Sequence, residues 1–177
     1  MDDQQLVNEC AKNNPQAQRA LFDKFAPKML AICFRYLRNM EEAEDVVQDG
    51  FVKIFKKIQD FKMDGSLEGW IRRVMVNTAL DSLRKNKKLA TDLPLDDVAF
   101  RLSYDDYAFQ GLEVEELMKL INELPDGYRV VFNLFAIEGY SHKEIADTLG
   151  ISENTSKSQY SRARGFLRNQ LERIERD

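Results

Sequence analysis

The chain has 177 residues, a formal net charge of −4 and 44% hydrophobic residues, which admits one large or two small domains and matches a soluble globular protein. Its longest apolar stretch, VVFNLFAI, is far short of the about 20 residues a membrane span needs. The acidic start MDDQQLVNEC lacks the basic-then-apolar order of a secretion signal, so a cytoplasmic chain is expected.

Cys10 and Cys33 are too few and too far apart for a disulfide framework or a zinc site, and free thiols, with Cys33 buried, are expected. Charge is unevenly spread. From Thr91 to Asp126 ten acids face only Arg101 and Lys119, an excess of eight negative charges that leaves the remainder of the chain at +4. The negative total therefore does not exclude phosphate contact, because a phosphate senses charge within a Debye length of about 8 Å.

Four prolines, eight glycines and almost no alternating apolar pattern predict an all-α chain. Asn14 and Pro15 have the form of an N-cap and first helical residue, opening a helix that buries Leu21, Phe22 and Phe25 and that Pro27 should end or kink. Met29, Ile32, Cys33, Tyr36 and Leu37 keep helical spacing to a break near Asn39. Asn39 with Glu42 predicts another cap, followed by Ala43, Val47, Phe51, Ile54 and Ile58 on one face. That helix starts acidic (Glu41, Glu42, Glu44, Asp45) and ends basic (Lys53, Lys56, Lys57), which suits the helix dipole at both ends.

QDFKMDGS is read as a loop, since Asp64-Gly65 is a turn signal. Beyond it, Leu67, Trp70, Ile71, Val74, Thr78 and Leu83 form the inner side of a long helix ending in RKNKK. Residues 89–110 have no sustained period, hold Pro94 and five aspartates, and read as an extended or partly ordered linker. Val114, Leu117, Leu120, Ile121 and Leu124 then make one helix, Pro125-Asp126-Gly127 turns the chain, and Val130, Val131, Leu134 and Phe135 make the next.

The most informative stretch is SHKEIADTLGISENTSKSQYSRARGFL. Ser141 and Glu144 have capping-box spacing, and the short helix they open buries Ile145, Ala146 and Leu149. Gly150 stops it, Ile151 plugs the turn and Ser152 caps a second helix, giving a helix-turn-helix. In the second helix Ser156, Tyr160, Ala163 and Leu167 face inward, and Asn154, Thr155, Lys157, Ser158, Ser161 and Arg162 face outward. Side chains near the start of such a helix reach base edges in the major groove. Arg164 and Arg168, further along, suit phosphates. An amphipathic helix with a solvated basic face is the alternative; the coincidence of capping box, glycine turn, plug and basic second helix favours DNA. His142, with no partner ligand or base, is read as a first-turn surface residue.

Two separated motifs carry a family resemblance. LPDGYRVVFNLFAIEGYSHKEIADTLGISENTSKSQYSRAR resembles region 4, and AEDVVQDGFVKIFKKI with GWIRRVMVNTALDSLRKNKK resembles region 2, of a bacterial RNA polymerase sigma factor of the extracytoplasmic-function group. The resemblance implies two small helical domains, residues 1–89 (region 2) and 112–177 (region 4), joined by a flexible acidic linker over residues 90–111. It further implies core polymerase, through its clamp helices and flap, as partner, with promoter DNA and an anti-sigma factor. No cofactor, metal or small-molecule substrate is expected, and no chemistry of the chain's own.

On this resemblance region 2 contacts core polymerase through Glu41, Asp45, Gln48 and Val52, which lie opposite the buried face of their helix; Asp45 and Gln48 match the family's core-binding motif. From the residues alone these acids are a solvated face, and with no histidine nearby a metal site is disfavoured. Arg73, Asn77, Arg84 and Lys88, with Arg72 and Lys85 adjacent, form a stripe suited to a phosphate backbone. The family uses this helix and the preceding loop to hold the opened non-template strand at the minus-ten element. Phe61, Lys62, Met63, Asp64 and Ser66 are the candidates for reading a flipped base. Trp70 could serve as a stacking platform, but its phase with Leu67, Ile71 and Val74 favours the core. The recognition helix then reads the minus-35 element. The sequence departs from the family at Ser156, where an aliphatic residue is usual, at Asn154, where a small one is common, and at Tyr160, where Leu or Ile is frequent. A buried serine there can bond a carbonyl of the preceding turn. The linker's acidity could mimic nucleic acid in the polymerase or simply keep a tether soluble.

Two other classes compete. A stand-alone helix-turn-helix regulator would bind DNA without polymerase and leaves the stripe from Arg73 to Lys88 unexplained. A metal-dependent nuclease would need clustered ligands, which one histidine without a convergent carboxylate loop does not supply.

Overall fold

A computed structural model describes residues 1–86 and 113–177, and every regular element among them is helical. The acidic linker and Lys88 lie outside the described residues. The chain divides into two compact units, Met1–Asn86 and Lys87–Asp177.

The first unit opens with α1 (Asp3–Ala11), which the periodicity did not announce. It is started by a capping box in which Asp2 Oδ1 accepts from the Gln5 amide at 2.8 Å and the Asp2 amide donates to Gln5 Oε1 at 3.1 Å. Asn14 caps α2 (Pro15–Leu37) by accepting from the Gln16 and Ala17 amides. The end allowed for at Pro27 is corrected, since α2 is one helix of 23 residues with Pro27 inside it. Pro27 and Asp23 are exposed, so the carbonyl that loses its i+4 donor lies where water can reach it. Meanwhile Phe25 and Met29, at 3% and 0% exposure, carry the packing past the proline.

Arg38, at φ 58°, closes α2, and Asn39 at once caps α3 (Met40–Lys57) by accepting from the Glu42 amide at 3.0 Å. A 3₁₀ turn (Ile58–Asp60) and the loop over residues 61–66 lead to α4 (Leu67–Lys85). α2 packs on α1, α3 and α4, and α3 packs on α4. Leu21, Met29, Tyr36, Ile54, Ile71, Met75, Leu80 and Leu83 form the buried centre. At Gly50 α4 comes so close that a Cβ would overlap the end of the buried Met75 side chain, which would have to shift.

The second unit holds α5 (Val114–Asn122), α6 (Asp126–Phe132), a π-helical turn (Asn133–Ile137), α7 (His142–Leu149) and α8 (Glu153–Arg176). α5, α6 and α7 all pack on α8. Leu120, Ile121, Leu124, Phe132, Ala163, Leu167 and Leu171 make its apolar core. Arg129 is fully buried at the entry to α6, where Nη2 bonds Asp126 Oδ1 at 2.7 Å and Nη1 donates to the Leu124 carbonyl at 3.1 Å. It ties the end of α5 to the start of α6. The π register closes where the Glu138 amide donates to the Asn133 carbonyl at 2.9 Å, and Gly139, at φ 75°, turns the chain toward α7.

Candidate nucleic-acid interface

The helix-turn-helix forms as its residues dictate. Ser141 caps α7 by accepting from the Glu144 amide at 3.1 Å. Gly150, at φ 68°, ends it, with the Gly150 and Ile151 amides both donating to the Ala146 carbonyl. Ser152 accepts from the Thr155 amide at 3.0 Å and starts α8. Inside α8, Ser156, Ala163 and Leu167 are at 0% exposure. Gln159 is also buried, at 6%, a position the sequence reading missed although it lies three residues from Ser156 and four from Ala163. Tyr160 is half-buried, with its ring 5.8 Å from Phe132 and 4.5 Å from Phe135.

Of the outward residues, Asn154 and Lys157 are exposed, and Thr155, Ser158, Arg162, Arg164 and Arg168 are half-buried. The Thr155 hydroxyl is 2.8 Å from the Ser152 hydroxyl, and the Arg164 guanidinium lies 5.9 Å from the Tyr160 ring centroid. Two readings are corrected. The Ser161 hydroxyl oxygen is buried without a hydrogen-bond partner among the described residues, so it points inward because its phase falls beside the packed face. His142 is half-buried rather than a surface residue: its ring stacks on Phe135 at 4.3 Å and 12°, and Nδ1 lies 2.9 Å from Ser156 Oγ. Ser156 thus meets a side chain of the facing helix at hydrogen-bond distance, rather than a carbonyl of the preceding turn. Burial holds the His142 imidazole below its ordinary pKa; the nearby Lys157 adds to this and Glu153 opposes it.

In the first unit, Arg73, Asn77, Arg84 and Lys85 are exposed on α4, with Arg72 half-buried. Asp81 lies within this stripe, 3.0 Å from Arg84 and 3.7 Å from Lys53, so part of its positive charge is balanced locally. In the loop, Lys62, Met63, Asp64 and Ser66 are exposed. Met63 holds the left-handed conformation at φ 60° with its side chain 44% exposed. The Ser66 oxygen accepts from the Gly69 amide at 2.9 Å and caps α4. Phe61 is corrected: it is 8% exposed and packs on Trp70 at 5.4 Å, so it props the loop from below and offers no face to a base. Trp70 itself is half-buried.

On α3, Glu41, Asp45, Gln48 and Val52 are all exposed, Val52 to 53%. Beside them runs a groove of about 440 Å³ lined by Phe22, Ala26, Pro27, Leu30 and Val47 together with Asp23, Glu44 and Gln48. An apolar groove thus lies next to an acidic stripe. Among the described residues no group of three His, Cys, Asp or Glu is placed to hold a metal, and no helix is long and apolar enough to cross a membrane. Both cysteines are buried, and burial pushes the Cys33 thiol up to about 12.

The family model for Sigma-70 region 2 matches residues 21–89, and that for Sigma-70, region 4 matches residues 114–167. The RNA polymerase sigma-H factor of Pseudomonas aeruginosa is 28% identical, with 99% of this chain and 96% of that relative aligned. The ECF RNA polymerase sigma factor SigW of Bacillus subtilis is also 28% identical, over 93% of this chain and 94% of its own. Among solved structures, the sigma factor RpoE in complex with the anti-sigma factor NepR from Bartonella quintana superposes with a TM-score of 0.55 at 25% identity. That match covers 96% of the solved chain and 87% of this one.

The two halves together define a promoter-recognition subunit of the transcription machinery. The chain belongs to the sigma-70 family, in its extracytoplasmic-function group, and is an alternative sigma factor directing transcription initiation rather than a stand-alone regulator.

Proposed function

We propose how the work is divided along the chain. Residues 1–89 act as region 2, with Glu41, Asp45, Gln48 and Val52 meeting the clamp helices of core polymerase. Lys62, Met63, Asp64 and Ser66 of the loop and Arg72, Arg73, Asn77, Arg84, Lys85 and Lys88 beyond it hold the opened minus-ten strand. Residues 112–177 act as region 4, with Asn154, Thr155, Lys157, Ser158 and Arg162 at the minus-35 bases and Arg164 and Arg168 at phosphates. Residues 90–111 link the two. The chain acts in the cytoplasm, performs no bond chemistry of its own, and is held inactive by an anti-sigma factor, a partner of the kind found with its RpoE relative.

The single observation that supports this reading most is the exposure of Asp45, Gln48 and Val52 in one line on α3, bordering an apolar groove. Replacing Asp45 and Gln48 by lysine should abolish assembly with core polymerase, because like charge placed at a matched interface costs several kcal/mol. Both residues are exposed, so circular dichroism should not change. Core binding at the wild-type level would refute the assignment.

A further inference from the structure

The contact between α7 and α8 contains a polar pair that a recognition helix does not need in order to fold. Ser156 is at 0% exposure, and its hydroxyl is 2.9 Å from His142 Nδ1 across the interface of the two helices. The imidazole is packed on one side, stacked on Phe135 at 4.3 Å with the Tyr160 ring tilted beside that contact at 6.0 Å. An aliphatic side chain at position 156 would fill the space but fix no angle, whereas a hydrogen bond between two locked side chains fixes both.

We infer that His142 is a positioning residue, whose bond to the Ser156 hydroxyl sets the angle at which α7 docks on α8 and so aims Asn154, Lys157 and Ser158 at DNA. The inference rests on the region 4 reading given above. The Nδ1–Oγ distance suits a neutral ring, which can donate or accept there, and also an imidazolium, which can donate; what disfavours the charged form is burial. The charged groups acting on it from α8 are Lys157, which opposes protonation, and Glu153, which favours it; Lys143 and Glu144 follow it on its own helix, and the segment before α7 presents the Phe135 ring. Because burial lowers the imidazole pKa, the unfolded chain takes up the proton first. The stability this burial leaves to the fold is therefore full above the ordinary value of about 6.5 and falls as pH drops below it.

His142 is the only histidine of the chain, so its imidazole gives one resolved NMR signal in the whole chain. That signal should titrate below the ordinary range, and Ser156→Ala should move its midpoint. Promoter affinity of the reconstituted holoenzyme should fall about 2- to 10-fold in His142→Ala, in Ser156→Ala and equally in the double variant, the size of one neutral hydrogen bond. His142→Asn, whose amide can occupy the Nδ1 position, should restore most of the loss and guards against a folding failure in the alanine variant. An ordinary titration unmoved by Ser156→Ala, or losses that add in the double variant, would overturn the inference. So would a shifted, coupled signal with promoter affinity unchanged, which would make the pair a packing contact only. Failure of the wild-type holoenzyme to initiate would instead strike the region 4 reading, leaving the NMR titration to judge the pair.

Discussion

The two units solve the same packing problem by different means. The first is built on helices of 23, 18 and 19 residues, and the polar groups it buries among the described residues include the Tyr36 hydroxyl and that of Thr78, which donates to the Val74 carbonyl of its own helix. The second uses helices of 9, 7 and 8 residues against the long α8 and buries Arg129, Asn133, Ser156 and Gln159. Helices that short are marginal on their own. Apolar burial is non-directional, so it collapses them on α8 without fixing their angles. Polar ties such as Arg129 to Leu124 and Asp126 supply the direction. The difference fits the tasks proposed for the units, since base readout demands an aimed helix and a clamp contact demands a firm face.

The comparison breaks most visibly at the centres of the two units. Leu21→Ala should destabilise the first unit by about 3 kcal/mol through the lost side chain and the cavity left behind. Arg129→Met should cost the second unit about 3 kcal/mol, at the lower end for a broken buried pair because Asp126 is 30% exposed. Trp70, the only tryptophan, lies in the first unit. Urea unfolding followed by its fluorescence should shift for Leu21→Ala alone, while the second transition seen by circular dichroism should shift for Arg129→Met alone.

A smaller effect separates surface from core. Lys157→Ala and Arg162→Ala should each weaken the holoenzyme's promoter complex by about 1–2 kcal/mol, with core binding unchanged and a shallower dependence of affinity on salt. Smallest is the loss of a cap: Ser141→Ala should cost about 1 kcal/mol in the second transition and leave the Trp70 signal unmoved.

What could be read from the residues was whatever is local. The caps at Asn14, Asn39, Ser141 and Ser152 and the stop at Gly150 each follow from side chains within a few positions of one another, and the structure places them so. The start of α1 had the same kind of signal, Asp2 with Gln5 three residues on, but only the short series Leu6, Val7 and Cys10 behind it. Tertiary effects were harder to read. Pro27 leaves α2 unbroken because Phe25 and Met29 hold it from the buried side, which spacing cannot reveal. Phe61 sits in a loop, where no period tells inside from outside, and only its contact with Trp70 settles it. His142 and Ser156 are 14 residues apart on different helices, so each looks ordinary until the fold brings them together.

The most direct test is reconstitution of the chain with core polymerase from its source bacterium, followed by sequencing of the 5′ ends of the transcripts made on genomic DNA. The account predicts that the start sites share two upstream boxes at fixed spacing, and that the Asp45→Lys/Gln48→Lys variant yields none of these transcripts. Promoter-length DNA held tightly by the chain alone, with no association to core polymerase, would contradict it.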